Sequence, residues 1–265
     1  MVGLVHPVTS SKHSEDMSVR RFAMRVVSEL AQASGTGHAA LSTIIAKLVT
    51  DFARSGDSHA LSTLYAEMRM RRISAEEVLD AYLPNALGVI GREWHNEEID
   101  ILHASLACAR LQNLLRELGR AWASDRMGPV GDGRILLTLP KGEQHTFGVM
   151  LAANQLRRIG VSVKVMLLPA ATELRDVLAH NRFNAVFISV SNKTSVLPCA
   201  AMVRELRTWS HEDIPIVIGG GLVLRENSDT DHRRIADTTG ADIVTSDIAC
   251  ALHSCGIQQT IAAAE

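Results

Sequence analysis

The pattern of apolar residues changes period across "ASDRMGPVGDG", Ala123 to Gly133, and this constrains the fold more than any other feature. Beyond that segment the apolar residues form five short continuous runs: "RILLTLP", "VSVKVMLLP", "AVFISV", "IPIVIGGG" and "ADIVTS". Helix-like stretches at 146–159, 172–181, 197–209, 230–238 and 247–254 separate or follow them. Short runs rich in β-branched residues, apolar on both faces, are what strands of a covered parallel sheet require. Parallel neighbours need long crossover connections, and such crossovers are right-handed. Residues 134–265 are therefore predicted to be an α/β unit built on a doubly wound, five-stranded parallel sheet. Its ligand crevice should lie at the carboxyl ends of the strands.

Before the break the period is helical. "SVRRFAMRVVSELAQAS", "HAALSTIIAKLVTDFARSG", "SHALSTLYAEMRMRR", "VLDAYLPNALGVIGREW" and "ILHASLACARLQNLLRELGRAW" are successive candidate helices. Gly56 sits where a helix should stop, and Asp57 and Asp100 are candidate N-caps. Ser74 and Glu77 have capping-box spacing. Pro84 is expected to kink or break its helix. Leu102, Leu106, Leu111, Leu114, Leu115 and Leu118 recur at three- and four-residue steps and are expected to form one buried face. The chain thus divides into a polar tail (1–17), a helical bundle (18–123), a Pro/Gly/Asp-rich linker (124–133) and the sheet unit (134–265).

Charge excludes some functions. The net charge is −2 over 265 residues, without the basic excess of a typical nucleic-acid binder, so no direct nucleic-acid contact is expected. "RMRR", Arg69 to Arg72, is the one basic cluster; it reads as a solvated helix end or a contact for phosphate or an acidic partner. No apolar run reaches the length of a membrane span. Cys108, Cys199, Cys250 and Cys255 make no CxxC pair. They are expected to be buried, reduced thiols of a cytoplasmic protein.

The loop "KGEQHTFG", Lys141 to Gly148, follows the first strand and so falls in the predicted crevice. In extended chain Glu143 and His145 project to the same side. A carboxylate that accepts the Nδ1 proton fixes the imidazole tautomer and presents Nε2 as a metal ligand. A solvated surface loop would carry the same residues. No second histidine or cysteine stands near enough for a zinc site. There is no P-loop, and "GGGLVL", 219–224, fails the dinucleotide fingerprint. A single histidine ligand suits a macrocycle that brings its own equatorial donors, haem or a corrin.

Glu143-Gln-His145-Thr146-Phe-Gly148 resembles the D/E-x-H-x-x-G motif of cobalamin-binding domains. Ser189-Val-Ser191 and Gly219-Gly220-Gly221 resemble the second and third motifs of that family, each at the end of its strand. The resemblance spans about 120 residues and implies a flavodoxin-like, Rossmann-like fold. It implies that His145 ligates cobalt from below, displacing the cofactor's own base into a slot in the sheet. Ser189 or Ser191 would bond that base, and the glycines would let the nucleotide pass.

Gly91-Arg-Glu-Trp94 with Glu97-Glu98-Ile99 resembles the helical domain of cobalamin-dependent light sensors, where the tryptophan caps the upper corrin face. An ordinary core tryptophan would fit Trp94 as well. Adenosylcobalamin sensors carry Glu-His where this chain has Ala104-Ser105, so hydroxo-, aquo- or methylcobalamin is expected instead. The whole layout, helices plus a cobalamin module, resembles the AerR/PpaA family of photosynthesis antirepressors. That implies a non-enzymatic, light-responsive regulator acting on a PpsR/CrtJ-type repressor. A corrinoid methyl carrier and a haem-based redox sensor are the alternatives.

Overall fold

A computed structural model describes residues 41–122, 133–210 and 213–257. The tail, the helix expected over 18–34, and all of the linker except Gly133 lie outside the described residues. Among the described residues, four main helices build the first half: α1 (Thr43–Ser55), α2 (Ser58–Arg71), α3 (Leu83–His95) and α4 (Ile101–Leu118). Their ends follow the sequence signals. Gly56 takes the left-handed conformation (φ 66°) that closes α1. Asp57 accepts from the His59 N–H, and Asp100 from the His103 N–H. Ser74 and Glu77 make both bonds of the capping box.

Pro84 does not break its helix. The chain enters through Ala75–Glu77 and then widens into a π-helical turn, Val78–Tyr82, whose next N–H, that of Leu83, bonds back to the Val78 carbonyl. Proline lacks the N–H for a regular bond, and the wider turn accommodates that loss before α3 resumes. The leucine face of α4 also differs from expectation. Leu111, Leu114 and Leu115 are buried, but Leu102 and Leu106 are 62% and 44% exposed. At 100° per residue, Leu102 and Leu111 lie on opposite sides of the helix, so one stripe cannot hold both.

The second half is β1 (Arg134–Thr138), α5 (Thr146–Arg158), β2 (Ser162–Met166), α6 (Ala171–His180), β3 (Ala185–Ser189), α7 (Val196–Trp209), β4 (Ile216–Gly219), α8 (Gly221–Arg225), α9 (Asp229–Thr239), β5 (Ile243–Val244) and α10 (Ile248–Ser254). All strand pairs are parallel, in the order β2-β1-β3-β4-β5. Alternate residues feed two cores. Leu136, Val186, Ile188 and Ile218 pack with α6, α7 and α9; Ile135, Leu137, Phe187 and Val217 pack with α5 and α10. Strand order reverses beside β1, which opens a crevice at the carboxyl ends of β1 and β3. The two halves share packing, because Phe147 of α5 belongs to the helical core. Among the described residues, no helix is long and apolar enough to cross a membrane.

Candidate functional site

The turn after β1 places Glu143 inward and His145 at the N-cap of α5. Glu143 is fully buried. Its Oε1 accepts from the His145 backbone N–H at 3.1 Å and lies 2.5 Å from His145 Nδ1. Its Oε2 accepts from the Ser191 N–H (2.9 Å), Ser195 Oγ (2.9 Å) and Asn192 Nδ2 (3.3 Å). Burial alone would raise the carboxyl pKa, but the bonds from His145 and Ser191 outweigh it and hold it down to about 2. The buried carboxylate therefore keeps its charge at neutral pH and fixes the imidazole through Nδ1. That leaves Nε2 as the ring nitrogen not engaged by Glu143, on a side chain that is 38% exposed and lines a cavity.

The cavity holds about 520 Å³ between the helical half and the carboxyl ends of the strands. On the helical side α3 contributes Leu87, Ile90, Gly91 and Trp94, spaced for one helix face, and α4 contributes Ala104, Ser105, Cys108 and Gln112. On the sheet side lie His145, Thr146, Gly148, Ser189, Ser191, Gly219, Gly220 and Gly221. A deeper floor runs across the sheet through Leu137, Phe187 and Val217, which are register partners on neighbouring strands. Leu151 and Ala152 of α5 and Ile248 and Ala251 of α10 also line it.

Glycine is required for different reasons at different positions. Gly220 has φ 96°, and a Cβ there would come within 2.6 Å of Ser189 Oγ and 2.9 Å of the Val190 N. Its constraint is close packing onto the end of β3. At Gly148 a Cβ would meet only Ser189 Oγ, at 4.0 Å, so the bare backbone there keeps cavity space open rather than avoiding a clash.

The residues named as cofactor-binding candidates all line this cavity except Glu143, which stands behind His145; Glu97, Glu98 and Ile99 of the sensor-like segment do not line it. His103, beside the Ala104-Ser105 pair, is exposed and pairs with Asp100. The cysteines depart from expectation. Cys199 is buried, its thiol pushed up to about 12 by desolvation, but Cys108 and Cys255 are half-buried and Cys250 is exposed. Short amphipathic helices leave part of their circumference wet, and α10 presents Cys250 there. Burial also raises the Cys108 thiol, which stays protonated in the cavity wall.

Sequence reasoning missed Ser195 and Asn192. The local trace was the cap: Asn192 Oδ1 accepts from the Ser195 N–H at 3.0 Å, opening a 3-10 turn, Lys193–Ser195. Nothing local tied that turn to Glu143. Among the described residues no three His, Cys, Asp or Glu side chains cluster to hold a metal ion. A metal at His145 would need most of its donors from a ligand of its own.

No protein-family model matches the chain. A curated relative does: the "uncharacterized 20.5 kDa protein in bchF-crtJ intergenic region" of Rhodobacter capsulatus. It is 33% identical over 188 residues, which cover 71% of this chain and 95% of the relative. The chain belongs to the family of that protein. Among solved structures, the Methanosarcina barkeri monomethylamine corrinoid protein aligns with a TM-score of 0.63 at 16% identity. The alignment takes in 82% of this chain and all of that one. At this identity the likeness concerns the fold: helices followed by a doubly wound parallel sheet.

Proposed function

We propose that this protein binds cobalamin between its two halves and acts as a light-responsive regulator of the AerR/PpaA type, working by contact with a PpsR/CrtJ-type repressor. The observation that carries the reading is His145, held through Nδ1 by the buried, charged Glu143, at the edge of an apolar cavity that Trp94 lines from the other side. The donor set fits a corrin, which brings four equatorial nitrogens and needs one protein ligand below. His145 would be that ligand. The floor of Leu137, Phe187 and Val217, reached past Gly148, is a place for the displaced base, with Ser189 at its rim. The regulatory part draws support from the relative, whose description puts it beside crtJ, and from the fold shared with a corrinoid protein.

Bound cobalamin would supply a light-sensitive upper cobalt bond. The chain's part is to hold one face of the cofactor on each half. Ala104 and Ser105 leave the upper wall without a carboxylate or imidazole at those two positions, which suits hydroxo-, aquo- or methylcobalamin better than a bulky adenosyl group. A change in the upper ligand would then change the fit between the halves, and a partner that prefers one fit would sense it.

Titration of the full chain with hydroxocobalamin in darkness tests this. The wild type should give the spectrum of histidine-ligated, base-displaced cobalamin, and His145→Ala should lose it. An unchanged spectrum in the variant would overturn the reading, as would a Soret band with haem and no uptake of cobalamin. A corrinoid methyl carrier is the second reading, favoured by the shared fold. Methyl transfer between added methyl donors and the loaded chain would decide for it.

A further inference from the structure

Two helices from different halves line the cavity and are tied to each other beyond one end of it. The α3 helix begins just after Asp80, in the π-helical turn, and ends at Trp94 in the cavity wall. The α5 helix begins at His145 and ends at Arg158. Their far ends are pinned together. Arg158 donates through Nη2 to both Asp80 oxygens at 2.6 and 2.7 Å, and Gln155 Nε2 donates to Asp80 Oδ1 at 3.0 Å. The Arg158 guanidinium also lies 5.8 Å from the Trp122 ring centre. The Arg158 side chain is 11% exposed, so this pair is worth more than a surface ion pair. At the cavity end the halves are joined by Phe147, which packs in the helical core, and by a neutral bond from Gln112 Nε2 of α4 to Thr146 Oγ1 at 3.1 Å.

The π-helical turn aims Asp80 at α5. Reverting it to a regular turn would shift Asp80 by about one residue, roughly 100°, relative to Trp94 on the same helix. The strut and the cavity wall are thus set by one backbone feature.

We propose that Asp80 and Arg158 are positioning residues. Their strut is a pivot at one end of the joint between the halves, whose other end is packed by Phe147 in the helical core, and it governs how long a ligand stays clasped between Trp94 and His145. Arg158 stands about 20 Å from His145, the length of the 13-residue α5, and about one turn beyond Gln155, where the cavity lining on α5 ends. This rests on the cobalamin reading only for its choice of ligand. With the pivot intact, the halves are pre-set to close on both faces of the cofactor. With it broken, the upper wall is held less firmly while Glu143 still holds His145.

The test uses the full chain, hydroxocobalamin and a release measurement in darkness. Asp80→Asn and Arg158→Met should each release the ligand about five- to tenfold faster, in the range of ordinary coupling between sites. The bound spectrum should match the wild type, because the lower ligand is untouched. The charge-swapped double variant, Asp80→Arg with Arg158→Asp, should recover most of the residence time. Singles that melt earlier yet release at the wild-type rate would overturn the pivot and leave a merely stabilising pair. Should the singles not fold, Trp122→Leu, which removes the ring beside the Arg158 guanidinium and lies outside the cavity lining, should speed release about twofold; no change would count against the pivot. A wild-type chain that takes up no cobalamin strikes the functional reading instead. In that event small-angle scattering of the ligand-free chain tests the pivot: a larger maximum dimension in the singles, reversed in the swap, upholds it, and identical profiles overturn it.

Discussion

Glu143 is the residue on which most local structure converges: its two oxygens accept from both the chain after β1 and the chain after β3. An amide cannot replace it well, since donors face both oxygens and a carboxamide offers only one acceptor atom. Glu143→Gln is expected to cost about 1–3 kcal/mol in chemical denaturation at pH 7. The folded carboxyl is depressed to about 2 from 4.5, so its contribution is fully present above pH 4.5 and fades as pH falls toward 2. The gap between wild type and variant should therefore narrow over that window. Two glycines give a sharper contrast. Gly220→Ala should destabilise by about 2–3 kcal/mol, since both its φ and its neighbours exclude a Cβ. Gly148→Ala should keep or raise stability by about 0.5 kcal/mol, as alanine favours a helix, and yet weaken cobalamin uptake. Thermal melts and binding titrations of the two variants measure both effects.

Elements carry their own signals. Caps and stops at Gly56, Asp57, Ser74, Glu77 and Asp100 act within four residues, so the sequence shows them directly. Ser74→Ala should lower stability by about 1 kcal/mol in a denaturant melt without altering ligand binding, because the capping box lies at the far end of α3 from Trp94. Where an element's behaviour depends on its surroundings, local reasoning fell short. Pro84 suggested a break, but the buried residues Val78, Leu79, Ala81 and Tyr82 hold the preceding turn in place, and the backbone widens instead. Leucine spacing along α4 suggested one face, while the helix serves three: a core, a cavity wall and an outer side with Leu102 and Leu106.

At the scale of the molecule, the site exists only where the halves meet. Neither half alone carries both Trp94 and His145, so ligand binding and the relation between halves are linked. On the proposed cobalamin reading, linkage requires that hydroxocobalamin raise the melting temperature of the wild type, by an amount equivalent to about 2.7 kcal/mol at a hundred times its dissociation constant. His145→Ala should lose most of that rise, and its ligand-free melt should fall as well, because the buried Glu143 loses its Nδ1 donor.

The sequence by itself determined the five strands and most of the described helices and their caps, though not the short α8 or the π-helical turn before Pro84. It also determined that three motifs fall at the carboxyl ends of β1, β3 and β4, because periodicity, caps and strand-end loops are written within a few residues of one another. Tertiary structure alone decided that Ser195 completes the cage around Glu143 and that Asp80 meets Arg158, 78 residues away. Those partners are chosen by the rotation of a helix about its axis and by which faces pack, and the π-helical turn that sets the rotation at Asp80 leaves no periodic trace in the chain.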